Sequence, residues 1–296
     1  MSAVGVIGAG AMGMGVVASL RRAGVSVTVR DVRTAAEVEA RGRGAAIASS
    51  AAAIARDCPL AIVLVVDAAQ VDDVLFGVDG YAAAVTSDRV LMLSSTLAPD
   101  YVASLATTLA ARGVTLVDAP VSGGPARAHD GTMTMMVAGP AAALGRCESV
   151  FSCIAGKVFR VGTSPGDAAK FKIVNNLLAA VNLAAAAEAL ALARRAGLDP
   201  AQVADVVGAS SGASWIFADR VPRALAGDLA PRAASKVLAK DVAIACEFAA
   251  RLGADATFAR AARAAFDAAV REGYGDADDA SIVAWAASRT GENATT

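Results

Sequence analysis

The amino-acid sequence predicts an α/β domain with a doubly wound parallel sheet, followed by an all-helical domain. The first observation is that short apolar runs alternate with helix-like segments up to Gly162, as in chains built from βαβ units. The second is that no strand-like segment follows Gly162, where one long helical pattern begins. The 296 residues are enough for two such domains.

Strands are expected where the apolar runs are short. The run at 60–66 is apolar without interruption, as in a parallel strand that is buried on both faces. The predicted strands cover residues 4–7, 26–31, 60–66, 89–93, 114–117, 132–137 and 157–161, and helices are predicted at 12–23 and 35–40.

The helical half begins with a pattern over 167–196 that contains neither proline nor glycine. Further helices are predicted at 200–207, 233–252 and 257–272. We therefore expect a sheet domain at residues 1–164 and a helical domain at residues 165–296, with the helix at 165–196 connecting them.

Composition and charge exclude several classes of function. The 27 basic and 28 acidic residues nearly cancel, so the bulk charge does not favour nucleic acid or an anionic membrane. With a single histidine, His129, the chain cannot build a histidine-rich metal site, and Ser–His–Asp chemistry would have to use that residue. The four cysteines form no CxxC pair and are expected to be reduced. We predict a cytoplasmic protein without a metal, a nucleic-acid partner or a membrane segment, in which the apolar run 177–193 is a buried helix.

A glycine-rich turn follows the first predicted strand and opens the first helix. It reads Gly8-Ala-Gly-Ala-Met-Gly13, which matches G-x-G-x-x-G and includes Ala11 and Met12. Gly8 permits the tight turn, Gly10 lets the backbone approach a pyrophosphate, and Gly13 allows close packing of helix on strand. The N–H groups at the helix start would receive the phosphate charge, so the sequence predicts a dinucleotide site; a turn without a ligand is the alternative.

Asp31 ends the second predicted strand, where an acid meets the adenosine ribose hydroxyls of a bound dinucleotide. Its charge would repel a 2′-phosphate and therefore favours NAD. Arg30 and Arg33 argue for NADP, because either guanidinium could pair with that phosphate. A salt bridge between Asp31 and a neighbouring arginine would give the same pattern.

A Ser/Gly turn follows the strand that ends near Asp118. Doubly wound sheets bind ligands at the carboxyl ends of their strands, and the N–H groups of Ser122, Gly123 and Gly124 could form a nest for a substrate carboxylate. A purely structural turn is the alternative.

The long helix begins with Lys172-Ile-Val-Asn175-Asn176. Residues four apart share a helix face, so Lys172 and Asn176 project together, with Asn175 alongside. Desolvation among apolar neighbours would move the pKa of the lysine toward the range of a general acid or base. The alternatives are a solvated lysine at a helix start, or Lys170 as the functional group.

Taken together, the motifs resemble those of the 3-hydroxyisobutyrate dehydrogenase (β-hydroxyacid dehydrogenase) family. The resemblance covers nearly the whole chain and rests on the glycine-rich turn, Ser94-Ser-Thr96, Asp118-Ala-Pro-Val-Ser-Gly-Gly124, Lys172-x-x-Asn175-Asn176 and Lys240-Asp241. Within the family, the L-threonate branch is the most similar, through Val65-Val-Asp-Ala-Ala-Gln-Val71, Val74-Leu-Phe-Gly77, Trp215-Ile-Phe217 and Gly273-Tyr-Gly275.

The resemblance implies a Rossmann domain, a long interdomain helix and a helical domain that forms a homodimer or homotetramer. It implies hydride transfer between nicotinamide and a small β-hydroxy acid of the 3-hydroxyisobutyrate or L-threonate type. Lys172 would be the general acid/base and Asn176 its orienting partner. The substrate-binding residues would be Ser122, Gly123, Gly124 and Asn175, and Val65, Val66, Thr96 and Lys240 would contact NAD or NADP.

Three positions depart from the family pattern: Ala168 stands where a glycine is usual, Val66 where proline is common, and Asn175-Asn176 where threonate-type relatives often have another pair. None of them removes a proposed catalytic group. A semialdehyde or glyoxylate reductase of the same family, and a cofactor-binding module without catalysis, are the competing functions.

Overall fold

The apolar runs of the first half form one nine-stranded sheet in the part of the chain that the structure describes. The computed structural model describes residues 3–85 and 88–289, and it divides between Lys172 and Ile173 into two compact units. The strands are β1 (Val4–Ile7), β2 (Val27–Arg30), β3 (Ala46–Ile47), β4 (Leu60–Val63), β5 (Arg89–Leu93), β6 (Val114–Asp118), β7 (Val121–Ser122), β8 (Met133–Ala138) and β9 (Ala155–Gly162).

The strand order is β3-β2-β1-β4-β5-β6-β8-β7, with β9 also paired to β8. The six strands from β3 to β6 run parallel, as predicted. The far edge differs from a purely parallel sheet, because β8 runs antiparallel to both β6 and β7. The strand β7 continues in the direction of β6, and the short helix over Gly124–Asp130 then returns the chain, so β8 enters the sheet in the opposite direction.

Helices cover both faces of this sheet. They are α1 (Ala11–Arg22), α2 (Thr34–Gly42), α3 (Ala51–Asp57), α4 (Ala68–Phe76), α5 (Pro99–Ala110), α6 (Gly124–Asp130) and α7 (Ala141–Ile154). Alternate residues of β4 belong to opposite cores: Leu60 and Ile62 pack on one face, and Ala61 and Val63 on the other. This is why the run at 60–66 is apolar without alternation.

The predicted strand over 60–66 is three residues too long. It ends at Val63 because the next free amides are bound by side chains: the N–H of Val65 donates to Ser95 Oγ (3.0 Å) and that of Val66 to Gln70 Oε1 (2.9 Å). The apolar residues beyond Val63 therefore belong to a loop at the carboxyl end of the sheet.

The second unit is helical around its own core, which includes Leu183, Val242 and Phe266. Its helices are the remainder of α8 (Asp167–Arg195), then α9 (Pro200–Gly208), α10 (Trp215–Leu225), α11 (Ser235–Arg251), α12 (Thr257–Ala269) and α13 (Ile282–Ser288). The predicted helix at 257–272 ends earlier, at Ala269, and the segment Val270–Tyr274 that follows is kinked at Gly273. Gly273 has a φ of +97° there, which favours glycine.

One helix among the described residues, Asp167–Arg195, is long and apolar enough to cross a membrane by length and composition. In its most apolar window, 44% of the residues are buried inside the protein. The core helix of a soluble protein passes the same test, so one such helix is weak evidence of a membrane span.

Candidate active site

The glycine-rich turn joins β1 to α1 and has the geometry that its sequence predicts. Gly8 has a φ of +91°, and a Cβ there would lie 2.5 Å from the carbonyl oxygen of Leu64. A Cβ on Gly13 would overlap the carbonyl oxygen of Gly8. Above Gly10 the space is open, since the nearest atom to a Cβ would be Arg33 Nη2 at 3.9 Å. The turn therefore has a cradle in which the pyrophosphate of a dinucleotide fits against the backbone.

Asp31 follows β2 and faces this turn. Its carboxylate accepts the N–H of Ala9 (2.6 Å) and of Arg33 (2.8 Å), and it pairs with Arg33 Nε (3.2 Å). Burial alone would raise the pKa of Asp31, but the hydrogen bonds from Arg33 and Ala9 and the Arg33 charge outweigh burial and hold it below its usual value. The salt bridge between Asp31 and a neighbouring arginine, which the sequence left open as an alternative, is therefore present. The lowered pKa keeps the Asp31 carboxylate ionised beside the turn.

The two arginines that favour NADP differ in their surroundings. Arg30 pairs with Glu37 (2.7 Å) and is partly buried. Arg33 is 61% exposed, and its Nη2 donates to the carbonyl oxygen of Ala9 (3.2 Å). Only Arg33 thus has a guanidinium both exposed and next to the turn.

The Ser/Gly turn lies between β7 and α6. Gly123 and Gly124 have φ values of +128° and +74°, which L side chains rarely adopt, and a Cβ on Gly123 would lie 2.6 Å from Arg127 Cδ. The backbone course of this turn therefore requires both glycines. Its role as a carboxylate nest stays a prediction.

Asp118 joins the carboxyl end of β6 to the start of α8. Its Oδ2 accepts the N–H of Gly166 (2.8 Å) and of Ala169 (2.9 Å) in a buried position. Burial raises the pKa of Asp118 to about 6, although these backbone hydrogen bonds oppose the rise. The same strand end therefore leads into the Ser/Gly turn and holds the helix that carries Lys172. The sequence reasoning quoted Asp118 in a motif without giving it a role.

Replacing Asp118 by asparagine is expected to change how the free energy of unfolding depends on pH. The folded-state pKa of Asp118 lies above the ordinary value, so its protonated form adds stability that is present at low pH and is lost as pH rises through about 6. Asn has no such titration. The difference in unfolding free energy, wild type minus Asp118→Asn, should grow by about 1.4 kcal/mol from about pH 7.5 to about pH 5. Urea unfolding at both pH values measures it, and a constant difference would contradict this titration.

Lys172 and Lys170 lie in the first part of α8 in different surroundings. Lys172 is only 7% exposed, whereas the Lys170 side chain is 51% exposed and its Nζ bonds Asp167 Oδ1 at 2.9 Å. The solvated lysine at the helix start is therefore Lys170. Burial singles out Lys172 as the lysine with the surroundings that a general acid/base needs.

In the second unit, a chain of polar contacts links α8 to α11. Asn176 Nδ2 donates to Asp241 Oδ2 (2.6 Å), and Asn175 Nδ2 donates to Asn176 Oδ1 (3.0 Å). Lys240 Nζ binds the other carboxylate oxygen of Asp241 (2.7 Å). Three predicted residues are thus brought together by Asp241, which the sequence reasoning named only as a neighbour of Lys240.

The remaining predicted residues lie at the carboxyl ends of β4 and β5. Val65 and Val66 follow β4, and Thr96 follows β5 and the Ser95 hydroxyl that accepts the Val65 N–H. Neighbouring parallel strands bring their carboxyl ends to one edge, so these residues share that edge with the glycine-rich turn. Among the residues that the structure describes, no cluster of three His, Cys, Asp or Glu side chains could hold a metal ion.

Two family models match the chain and together cover most of it. Residues 3–162 match the NAD binding domain of 6-phosphogluconate dehydrogenase, and residues 166–286 match the model described as NAD-binding of NADP-dependent 3-hydroxyisobutyrate dehydrogenase.

Individual proteins are similar over nearly the full length. The chain is 42% identical to L-threonate dehydrogenase of Cupriavidus necator over 280 residues, which make up 95% of this chain and 94% of that protein. The crystal structure of 3-hydroxyisobutyrate dehydrogenase from Salmonella typhimurium has a TM-score of 0.90 and 37% identity, covering 96% of this chain and 100% of that one. Psf3 in complex with NADP+ and 2-OPP has a TM-score of 0.89 and 27% identity, covering 95% and 99%. The resemblance expected from the motifs is confirmed.

Proposed function

The chain belongs to the β-hydroxyacid dehydrogenase family, and from this membership we propose that it transfers a hydride between a small β-hydroxy acid and NAD. The L-threonate and 3-hydroxyisobutyrate types are the proposed substrates, because relatives named for both are similar to this chain. One observation carries the proposal. Asp118 holds the start of α8, with its buried Lys172, at the strand end that leads into the Ser/Gly turn.

In the proposed mechanism, Lys172 accepts the hydroxyl proton during oxidation and returns it during reduction. Asn176 orients the hydroxyl, and its amide is itself fixed by Asp241 and Asn175. The N–H groups of Ser122, Gly123 and Gly124 bind the substrate carboxylate, which fixes the carbinol carbon relative to the lysine. When bound, the nicotinamide ring supplies the hydride acceptor or donor.

The cofactor would lie along the carboxyl edge of the sheet. Gly8, Gly10 and Gly13, with Ala11 and Met12 at the start of α1, would hold the pyrophosphate. Val65 and Val66 would line the adenosine side, and Thr96 and Lys240 would contact the cofactor near the nicotinamide. NAD is favoured because the negative charge of Asp31 would lie close to the 2′-phosphate of NADP. The exposed Arg33 keeps NADP as the alternative.

Initial rates with a panel of substrates test this function. We expect reduced cofactor to form with L-threonate or 3-hydroxyisobutyrate and NAD, followed by absorbance, and at least about tenfold lower kcat/KM with NADP because of charge repulsion at Asp31. L-serine and D-glycerate complete the panel, and glyoxylate and tartronate semialdehyde with NADH test the reductase alternative. Activity with NADP alone would contradict the role of Asp31, and activity confined to the reductase substrates would replace the proposed reaction.

We further propose that residues 1–164 bind the cofactor, and that residues 165–296 form the substrate and oligomerisation domain of a soluble, cytoplasmic homodimer or homotetramer. Large apolar side chains that are exposed on the second unit support an oligomer, because monomers rarely leave such patches in contact with water. They are Val174, Leu178, Leu192, Leu198, Val206, Trp215, Leu252 and Phe258.

A further inference from the structure

An open pocket of about 330 Å³ in the first unit has a strongly basic lining. It lies at the C-terminal ends of three helices, with Arg21 and Arg22 in the last turn of α1, Arg43 just after α2, and His129 in the last turn of α6. Ala18 completes the lining, and no carboxylate among the described residues lines the pocket. Three guanidinium groups therefore face one small volume without an acidic residue in its wall.

The pocket is separate from the proposed cofactor site. The 12 residues of α1 span about 18 Å, and the glycine-rich turn lies at their other end. A ligand in this pocket would therefore not be the pyrophosphate that the turn is expected to bind.

The contacts of the arginines leave donors available for a ligand. Arg21 Nη1 donates to the carbonyl oxygen of Val25 (2.8 Å), but its Nε is buried and has no hydrogen-bond partner among the described residues. Arg22 Nη2 donates to the Ser19 hydroxyl (3.1 Å). A ligand cannot reach this buried Nε, but Arg21 Nη2 and Arg22 Nη1 make no hydrogen bond among the described residues and can donate into the pocket.

The remaining two basic groups have acidic neighbours outside the pocket wall. Arg43 pairs with Glu39 at the surface (2.9 Å), and His129 Nδ1 lies 3.3 Å from Asp130 Oδ1. Each of the three helix C-terminal ends carries about −0.5 of an elementary charge, so together these ends offset about half of the positive charge of the three arginines.

We propose that this pocket binds a small phosphate monoester. Several guanidinium groups match the charge and the oxygen geometry of a phosphate better than those of a single carboxylate. The lining has no aromatic ring besides the His129 imidazole and no apolar side chain larger than Ala18, so a nucleobase would find no surface to pack on. The pocket is open and larger than a phosphate group, so it leaves room for a small organic group beside the phosphate.

Calorimetric titration with glycerol 3-phosphate tests the proposal, because this ester has no carboxylate to occupy the proposed substrate site. The full chain is titrated at constant ionic strength with saturating NAD, which fills the cofactor site. We expect saturable binding with about one ligand per chain, and weaker binding of inorganic phosphate. The double variant Arg22→Gln/Arg43→Gln should lose at least about tenfold in affinity, since it removes two charged donors. Both residues are exposed, and thermal melting should show that the variant is folded.

Arg41→Gln is the matched control, because Arg41 is an exposed arginine in the last turn of α2 but does not line the pocket. It should bind glycerol 3-phosphate as the wild type does. Two results would overturn the proposal: no saturable binding at saturating NAD, or equal affinity in the double variant. Equal affinities for inorganic phosphate and the ester would overturn the assignment to an ester.

Discussion

Replacing Lys172 by alanine is expected to lower kcat by about 10²–10⁴-fold, because the variant lacks the group that takes the hydroxyl proton. The dissociation constant for NAD, measured by fluorescence titration, should change by less than about twofold, since the amine is proposed to contact substrate and not the pyrophosphate cradle. The side chain is buried, so thermal melting must accompany the rates to separate lost chemistry from lost folding.

Lys170→Ala is the matched control. Lys170 lies two positions earlier on α8, and its main partner is the i−3 neighbour Asp167, an exposed contact of small energetic value. Its kcat should stay within about twofold of wild type. Full activity in Lys172→Ala combined with loss in Lys170→Ala would transfer the role of general acid/base to Lys170.

Replacing Gly10 by alanine is expected to weaken NAD binding by about 5- to 150-fold without lowering Tm. The backbone of Gly10 has a φ of −67°, which alanine accepts, and a Cβ would meet no protein atom closer than 3.9 Å. It would occupy the space proposed for the pyrophosphate, and overpacking by one methyl group typically costs about 1–3 kcal/mol. Calorimetric NAD titration and thermal melting measure the two quantities.

Alanine substitutions at two other glycines serve as controls, and their expected effects on stability are opposite. Gly13→Ala should lower Tm as well, because its Cβ would overlap the carbonyl oxygen of Gly8. Gly145→Ala, in the interior of α7 with open space around it, should leave NAD affinity unchanged and add about 0.5–1 kcal/mol of stability. Wild-type NAD affinity in Gly10→Ala would show that the cofactor does not pack against this turn.

The fold could be predicted where a buried segment is a continuous apolar run in the sequence. The strands β4 and β5 lie between two helical layers, so every residue but one is buried and the apolar runs are unmistakable. Helices α3 to α7 were not predicted, and in α3 four alanines among seven residues give little contrast between buried and exposed faces. Helix α10 contains Pro222, which usually argues against a helix interior.

Much of the candidate site follows from short spacings along the chain. The glycine-rich turn and the pair Lys172 and Asn176 each lie within one or two helical turns, where periodicity determines what is adjacent. The contacts of Asp118 and Asp241 could not be predicted from such short spacings. Their partners lie 48 to 51 and 65 residues away, so only the folded chain shows what each carboxylate binds.

The buried carboxylate of Asp118, at the end of β6, is connected to both groups that are proposed to hold the substrate. Ser122 lies four residues after Asp118, and Lys172 lies three residues after Ala169, whose N–H that carboxylate holds. With the proposed roles, the separation between the carboxylate nest and the proton acceptor is determined within the first unit. Substitutions in the helical unit would then alter which groups are accepted beyond the hydroxyl carbon, while the two groups proposed to hold the carboxylate and the hydroxyl proton keep their separation.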